Sequence, residues 1–240
     1  MQTATYVALS RQMVLERSMD VIANNLANMS TTAFKTEKPL FQQYLQPGPV
    51  KGQTIAYVRD AGVVRDARAG DLTTTGNPLD VGIDGNGYFQ VNTADGPRYT
   101  RNGKFQIDIN RNLVTAQGFQ VLNAVGQPIS IPQGATSISI GADGSVSTET
   151  GPVGKIALSQ VANQQDMVAA GNGLYATSAT VTPDTTSTLH QGTIEASNVQ
   201  PIIEMGQMLD VQRSYASAQN IIESEDNRLR NAIDKLSKSA

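Results

Sequence analysis

The sequence predicts an α+β protein: paired long N- and C-terminal helices with an inserted all-β domain and an irregular β-rich connector. Three observations carry this reading. Apolar residues recur every seven positions at both ends of the chain. The middle is punctuated by Asp-Gly and Asn-Gly pairs, about one turn signal per ten residues. A Thr-, Gln-, Pro- and Gly-rich stretch joins the two regions. The expected division is a helix over 1–30, an extended connector over 31–75, an all-β domain over 76–180, a return linker over 181–198 and a second helix over 199–240.

Ala8, Leu15, Ile22 and Met29 form the first seven-residue row, with Thr5, Gln12, Met19 and Leu26 as its companion. Alternating steps of three and four between the rows make a coiled-coil-like seam. Val7, Val14 and Val21 form a third row away from that seam, and a helix with several apolar rows calls for more than one partner. No Gly or Pro interrupts residues 2–38, so nothing local breaks a helix of about 25 residues.

At the other end Met208, Tyr215, Ile222, Leu229 and Leu236 make one row, and Val211, Ala218, Glu225 and Ala232 the other. Glu225 is a polar defect in this seam. Ser197 and Asn198 are candidate caps, and Pro201 suits a first turn. A helix over 199–236 would be more than about 50 Å long, too long for a domain of this size to cover. The two terminal helices are expected to pair. Neither is stable without tertiary partners, so assembly is expected to complete their folding.

The connector contains Lys38-Pro39, Gln46-Pro47-Gly48-Pro49 and Lys51-Gly52, with short extended runs at Ile55–Val58 and Val63-Val64. It is expected to pack beside the helices. From residue 76 short strands and turns dominate. Leu79, Val81 and Ile83 alternate with polar or small residues, and Tyr88-Phe89-Gln90-Val91 follows Asp84-Gly85-Asn86-Gly87, predicting a hairpin. Asp95-Gly96, Asn102-Gly103 and Asp143-Gly144 mark further turns. Phe105/Ile107/Ile109, Ile129/Ile131 and Ile138/Ile140 alternate, and Lys155–Val161 is another strand candidate.

Little in the chain points to catalysis or metal chemistry. There is no Cys, hence no disulfide, thiolate site or thiol nucleophile. A single His rules out multi-His metal centres. The formal charge of −3 does not suit a nucleic-acid scaffold, which needs a basic surface. The spacing of Gly82, Gly85 and Gly87 does not match a phosphate loop. Asp108-x-Asn110-x-Asn112 starts like a calcium loop but continues with Leu113 and Phe119 where Gly and Glu are required, so a solvated turn is expected. His190 is read as a surface residue, and no Gly-x-Ser-x-Gly is present. No enzyme activity, cofactor or metal is expected. Neither a cleavable leader nor a stretch of about 18 apolar residues is visible, so no membrane insertion is expected.

Asn24, Asn25 and Asn28 are costly inside a helix. Two readings stand. They mark a fraying end, where Asn tolerates the left-handed conformation, or their amides bond neighbouring backbones in a packed assembly.

Ile22-Ala23-Asn24-Asn25-Leu26-Ala27-Asn28 resembles the Ala-Asn-Asn-[Leu/Val]-Ala-Asn motif of the bacterial flagellar axial proteins, which include the rod and hook proteins. Thr75–Val81, Asp84–Val91 and Tyr99–Phe105 resemble the family's central motifs, with Asn102 where Asp is frequent. Gly192–Val199 and Gln212-Arg213-Ser214-Tyr215 are similar to its C-terminal motif. The chain departs from the pattern at Ser30-Thr31-Thr32-Ala33-Phe34-Lys35, where Ala33 replaces a customary Gly and puts a positive φ in doubt. Length and the opening Val7–Met13 are most similar to proximal-rod members, with distal-rod members next.

The resemblance implies a structural subunit of the flagellar rod, polymerising helically in the periplasm and transmitting motor torque. It implies partners among copies of itself, other rod proteins and the type III export machinery, without a cleaved signal peptide. The residues expected to pack subunits are Leu15, Met19, Ile22, Asn24, Asn25, Leu26, Asn28, Met208, Val211, Tyr215, Ile222 and Leu229. The reading from a different class is a secreted β-sandwich that binds glycans or peptidoglycan, with Tyr88, Phe89, Tyr99 and Phe119 as its platform.

Overall fold

The computed structural model describes residues 2–47 and 54–238, without the side chains of 2–5, 54, 236 and 238. The expected turn at Gly48-Pro49 and Lys51-Gly52, and the side chains of Thr5 and Leu236, lie outside the described residues. The chain has the expected α+β make-up, one helix at each end and strands between. It divides into two compact units. One gathers Met1–Met29, Thr36–Asp66 and Val199–Ala240; the other gathers Ser30–Lys35 and Ala67–Asn198.

The first unit holds α1 (Gln2–Ala27), β1 (Glu37–Pro47), β2 (Thr54–Arg65) and α2 (Pro201–Lys238). Helix α1 runs unbroken until the Asn28 N–H bonds back to the Asn24 carbonyl at 3.1 Å. The other helix starts at Pro201, whose missing N–H costs nothing in a first turn. Its cap is Gln200, whose carbonyl accepts from the N–H groups of Ile203 and Glu204, both at 3.0 Å. The expected cap Asn198 instead donates its side-chain amide to the Arg68 carbonyl, at 2.9 Å.

The connector is more regular than its composition predicts. β1 and β2 pair antiparallel from Glu37↔Arg65 to Pro47↔Thr54, with one irregularity at Leu40/Phe41. Gly62 sits opposite that point with φ 117°, and its N–H donates to Asp60 Oδ1 at 2.8 Å. Glycine absorbs the extra residue, so pairing resumes on either side. Pro39 and the Gln-rich run disguise this hairpin in the sequence. α1 packs on both strands as well as on α2.

The second unit is all-β. In chain order its strands are β3 (Leu72–Thr74), β4 (Val81–Asp84), β5 (Tyr88–Thr93), β6 (Gly96–Thr100), β7 (Phe105–Ile107), β8 (Leu113–Thr115) and β9 (Gln120–Val121). There follow β10 (Ile138–Ile140), β11 (Ser145–Thr148), β12 (Gly151–Lys155), β13 (Leu158–Val161), β14 (Val168–Gly171), β15 (Leu174–Ala176), β16 (Val181–Pro183), β17 (Thr188–Gln191) and β18 (Thr193–Glu195). A nine-stranded sheet runs β14-β15-β6-β5-β9-β8-β7, with β13 and β16 branching from β5. β10–β12 form a separate sheet, and β4–β17 and β3–β18 form two ribbons. The core holds Val81, Ile83, Phe89, Val91, Phe105 and Ile131, with Phe89 edge-on to Phe105 at 5.0 Å. A second cluster joins Tyr88, Tyr99, Val161, Met167 and Tyr175.

Several local expectations are corrected. Asp84–Gly87 does not close a hairpin, because β4 pairs with β17 and β5 pairs with β6, β9 and β13. The glycines serve a close approach instead. A Cβ on Gly85 would lie 2.2 Å from Ser187 Oγ, and one on Gly87 would lie 2.6 Å from Asp184 Oδ2. Asp95-Gly96 and Asp143-Gly144 do sit at the turns of antiparallel pairs, β5–β6 and β10–β11.

The Phe105/Ile107/Ile109 alternation stops early. Ile109 is 95% exposed because the chain turns at Asp108, which accepts the Asn112 N–H at 2.7 Å. Lys155–Val161 divides between the end of β12 and β13. Residues 181–198 are no open linker; they carry β16, β17 and β18, which pair with β13, β4 and β3.

Candidate functional site

Within the first unit the two helices are antiparallel. Ser18, Ile22 and Asn25 share a groove of about 290 Å³ with Glu204, Asp210 and Val211, so the end of α1 lies by the start of α2. On α2 the expected rows face inward: Met208, Val211, Tyr215 and Ile222 are half-buried and Ala218 is buried. Leu229 is 38% exposed and Ile233 64%, since α2 has 38 residues and α1 only 26. The polar Glu225 is half-buried and pairs with Arg228 one turn on.

On α1 the structure places Ile22 in the core and leaves Leu15, Met19 and Leu26 half-buried. Ser18 and Val21 are more buried than the expected companion row, and Val14 is half-buried. The third row called for a further partner, and α1 has one in the β1–β2 hairpin. Ser18 is tolerated there because its hydroxyl donates to the Val14 carbonyl at 2.9 Å.

The three asparagines have separate jobs. Asn28 Nδ2 donates to the Asn24 carbonyl and to Asn24 Oδ1, at 2.9 and 3.1 Å, which fastens the exposed helix end. Asn25 is 1% exposed. Its Nδ2 donates to the Glu37 carbonyl at 2.8 Å and to Glu204 Oε2 at 3.2 Å, while its Oδ1 accepts the Glu37 N–H at 2.9 Å. One amide thus ties α1 to the root of the hairpin and to the first turn of α2. Glu204 sits where the N-terminal end of a helix favours a carboxylate. Nothing in the periodicity marked Glu204, because it lies in an apolar row.

Sequence reasoning also missed a charged cluster in the second unit. Glu195 receives Lys35 on one oxygen and Arg101 on the other, the latter at 2.7 Å, and all three side chains are at most 2% exposed. The Gly70 N–H adds a hydrogen bond at 3.0 Å. Arg101 also donates to the carbonyls of Gly85 and Gly87, at 3.0 and 2.9 Å, and stands 5.6 Å from the Tyr88 ring centre. Ala33 does adopt positive φ, 59°, because its N–H must reach the Glu195 carbonyl at 2.8 Å. The signals were there: Arg101 and Glu195 lie in stretches that resemble family motifs, and Lys35 closes the stretch that departs from the pattern at Ala33.

Other candidates fall elsewhere. His190 is on β17 at the surface, 3.9 Å from Asp84. Tyr88, Phe89 and Tyr99 are buried and Phe119 packs against the core, so these four offer no exposed aromatic platform for a sugar. Among the described residues no helix is long and apolar enough to cross a membrane.

Three family models match along the chain: a flagella basal body rod protein model over residues 6–35, the flagellar hook protein FlgE/F/G D1 domain over 82–148, and the flagellar basal body rod FlgEFG protein C-terminal model over 190–235. The chain is 37% identical to the flagellar basal-body rod protein FlgF of Caulobacter vibrioides, covering 99% of both chains. It is 32% identical to FlgF of Rhizobium meliloti, covering 98% of both. It is 34% identical to the rod protein FlgG of Bacillus subtilis, over 98% of this chain and 99% of that one. The chain belongs to the flagellar basal-body rod protein family and is a structural subunit of that rod in the basal body.

Proposed function

We propose that this subunit is of the FlgF type, that it builds the proximal rod, and that it polymerises helically through its terminal helices to carry torque across the periplasm. The observation that carries this is the unfinished surface of the first unit. Tyr6, Leu9, Met13, Ile202, Met205, Leu209 and Ile233 are each at least 47% exposed on the two helices. A soluble monomer rarely leaves so much apolar side chain bare unless a neighbour covers it. The subunit-packing residues are the set from Leu15 to Leu229 named above: its inward-facing members hold the pair together, and Asn24, Leu229 and the stripes outside the seam, all exposed, face neighbours. Export by the type III machinery without a cleaved leader fits a chain without disulfides.

The test is complementation of a deletion strain, read by electron microscopy of isolated basal bodies. Wild type should restore the rod. Leu15→Asp or Ile222→Asp, which put a charge into the apolar seam, should abolish incorporation while the β unit stays folded. Normal rods with either variant would overturn the reading.

A further inference from the structure

Three Asn-Gly bonds lie in the β unit, at Asn86, Asn102 and Asn172. Such a bond can modify itself. Glycine leaves its own nitrogen unhindered, so that nitrogen can attack the amide carbon of the preceding asparagine side chain. The attack needs a free Gly N–H, a free Asn amide and a backbone able to turn. The fold grants these unequally.

Asn86 is exposed, but Gly87 is buried and its N–H donates to Ser187 Oγ at 3.1 Å. Arg101 holds the Gly87 carbonyl at 2.9 Å. At Asn102 the side-chain Oδ1 accepts the Lys104 N–H at 3.1 Å, and the backbone N–H donates to Thr100 Oγ1 at 3.0 Å. Gly103 is wedged against Val81, whose carbonyl oxygen would lie 1.7 Å from an added Cβ. Neither of these bonds can turn without local unfolding. Asn172-Gly173 joins β14 to β15, with Gly171 opposite Leu174. Both residues are exposed and both have positive φ, 53° and 70°, as a type I′ turn requires. Beyond its chain neighbours, no atom lies within 4 Å of where a Cβ on Gly173 would stand. Among the described residues, nothing hydrogen-bonds the Asn172 amide or the Gly173 N–H.

We propose that Asn172 is a site of spontaneous covalent modification, converting with loss of ammonia to aspartate and isoaspartate, while the fold shields Asn86 and Asn102. The Gly173 nitrogen attacks the Asn172 side-chain carbonyl carbon. A C–N bond forms, the bond to Nδ2 breaks, and ammonia leaves with the proton that Gly173 gives up. Water then opens the cyclic imide. Opening at the side-chain carbonyl leaves aspartate, and opening at the main-chain carbonyl leaves isoaspartate. The net change is one water in and one ammonia out, with no oxidant, reductant or metal required. Isoaspartate runs the main chain through the side-chain carbon, so the turn grows by one atom and gains a negative charge. The Gly173 carbonyl accepts the Thr100 hydroxyl at 2.8 Å, and Thr100 is 1% exposed. Lengthening the turn slackens that bond and the β14–β15 pairing beside it. The strand Val168–Gly171, uncharged and exposed throughout, acquires a carboxylate at its end.

The test ages the full-length protein in warm, mildly alkaline buffer and maps its peptides by mass spectrometry. Asn172 should convert about tenfold faster than Asn86 or Asn102, because only those two wait for local unfolding. In enough urea to unfold the chain, all three should convert at similar rates. Asn172→Gly, which tolerates the same positive φ, should remove the fast acidic product and leave the melting temperature unchanged. Amide exchange over residues 168–176 should quicken in the isoaspartate fraction and hold steady elsewhere. Asn86 or Asn102 converting as fast as Asn172 in the folded chain, no conversion at Asn172, or the same ranking in urea would overturn the site. Unaltered exchange in the isoaspartate fraction would overturn its effect on the turn.

Discussion

Asn25 and Glu37 exchange two hydrogen bonds, Nδ2 to carbonyl at 2.8 Å and backbone N–H to Oδ1 at 2.9 Å. The side chain thereby imitates a strand neighbour for the first residue of the hairpin. Asn25→Ala leaves a backbone donor, a backbone acceptor and the Glu204 carboxylate short of a partner in a buried place. The expected cost to the first unit is about 3 kcal/mol, at about 1–3 kcal/mol for each group left unsatisfied. Denaturant melts followed by far-UV circular dichroism measure it. Asn25→Asp should be worse than its shape suggests, since it sets a carboxylate against Glu204, and Glu204→Gln should relieve much of the loss.

The buried cluster around Glu195 makes a prediction of rank. Glu195→Gln removes the carboxylate that two buried cations share, and breaking such a pair costs about 3–5 kcal/mol. Lys35→Met should cost clearly less, because Arg101 and Glu195 then remain as a neutral pair. Thermal melts of the β unit check the order, and a Lys35→Met variant as unstable as Glu195→Gln would contradict it.

At Ala33 two effects oppose each other. Left-handed backbone strains an alanine by about 1–2 kcal/mol, which glycine would relieve. Glycine, however, loses about 0.5–1 kcal/mol in chain entropy and gives up a buried methyl. Ala33→Gly should therefore change stability by less than about 1 kcal/mol. Ala33→Val has no relief to offer and adds branching at positive φ, so it should destabilise by about 2 kcal/mol. Paired melting curves distinguish the two.

Asp184 predicts acid sensitivity. Burial pushes its pKa up, but hydrogen bonds from Ser187 and Thr186 outweigh this and hold it below the usual 3.8. A carboxylate depressed in the folded state contributes stability above its unfolded pKa and loses that contribution as pH falls through the lower folded value. The β unit should thus weaken below about pH 4, and Asp184→Asn should flatten that slope. Gly85→Ala should damage the same corner at every pH, with its Cβ 2.2 Å from Ser187 Oγ.

Limited proteolysis should stop near residue 198. Leu189 is 2% exposed and Glu195 1%, so trimming into the return segment 181–198 would tear out buried side chains. Mass spectrometry of the resistant fragment reads the boundary.

The helices were legible because a seven-residue row needs only local spacing, and Met208, Val211, Tyr215 and Ile222 all turn inward as that spacing requires. Three features were not. The Asp84–Gly87 corner has hairpin residues, yet its partners lie about a hundred positions on, at Asp184 and Ser187, and local turn chemistry holds no record of them. Glu204 and Glu195 look like surface carboxylates until Asn25, Lys35 and Arg101 are brought to them. The β1–β2 hairpin hid behind Pro39 and a run of glutamines, because β composition depends on what covers a strand more than on its backbone.

The hydrogen bond between Asn25 and Glu204 spans 179 positions of sequence. Contacts of such long range close late, since the intervening chain must first give up its freedom. The β unit gathers no residue beyond 198, so it is expected to fold while α2 is still being delivered. The last-made helix then acts as the latch. Until it arrives, α1 and the hairpin wait half-dressed, and the surfaces that join one molecule to another cannot ripen before the molecule is whole.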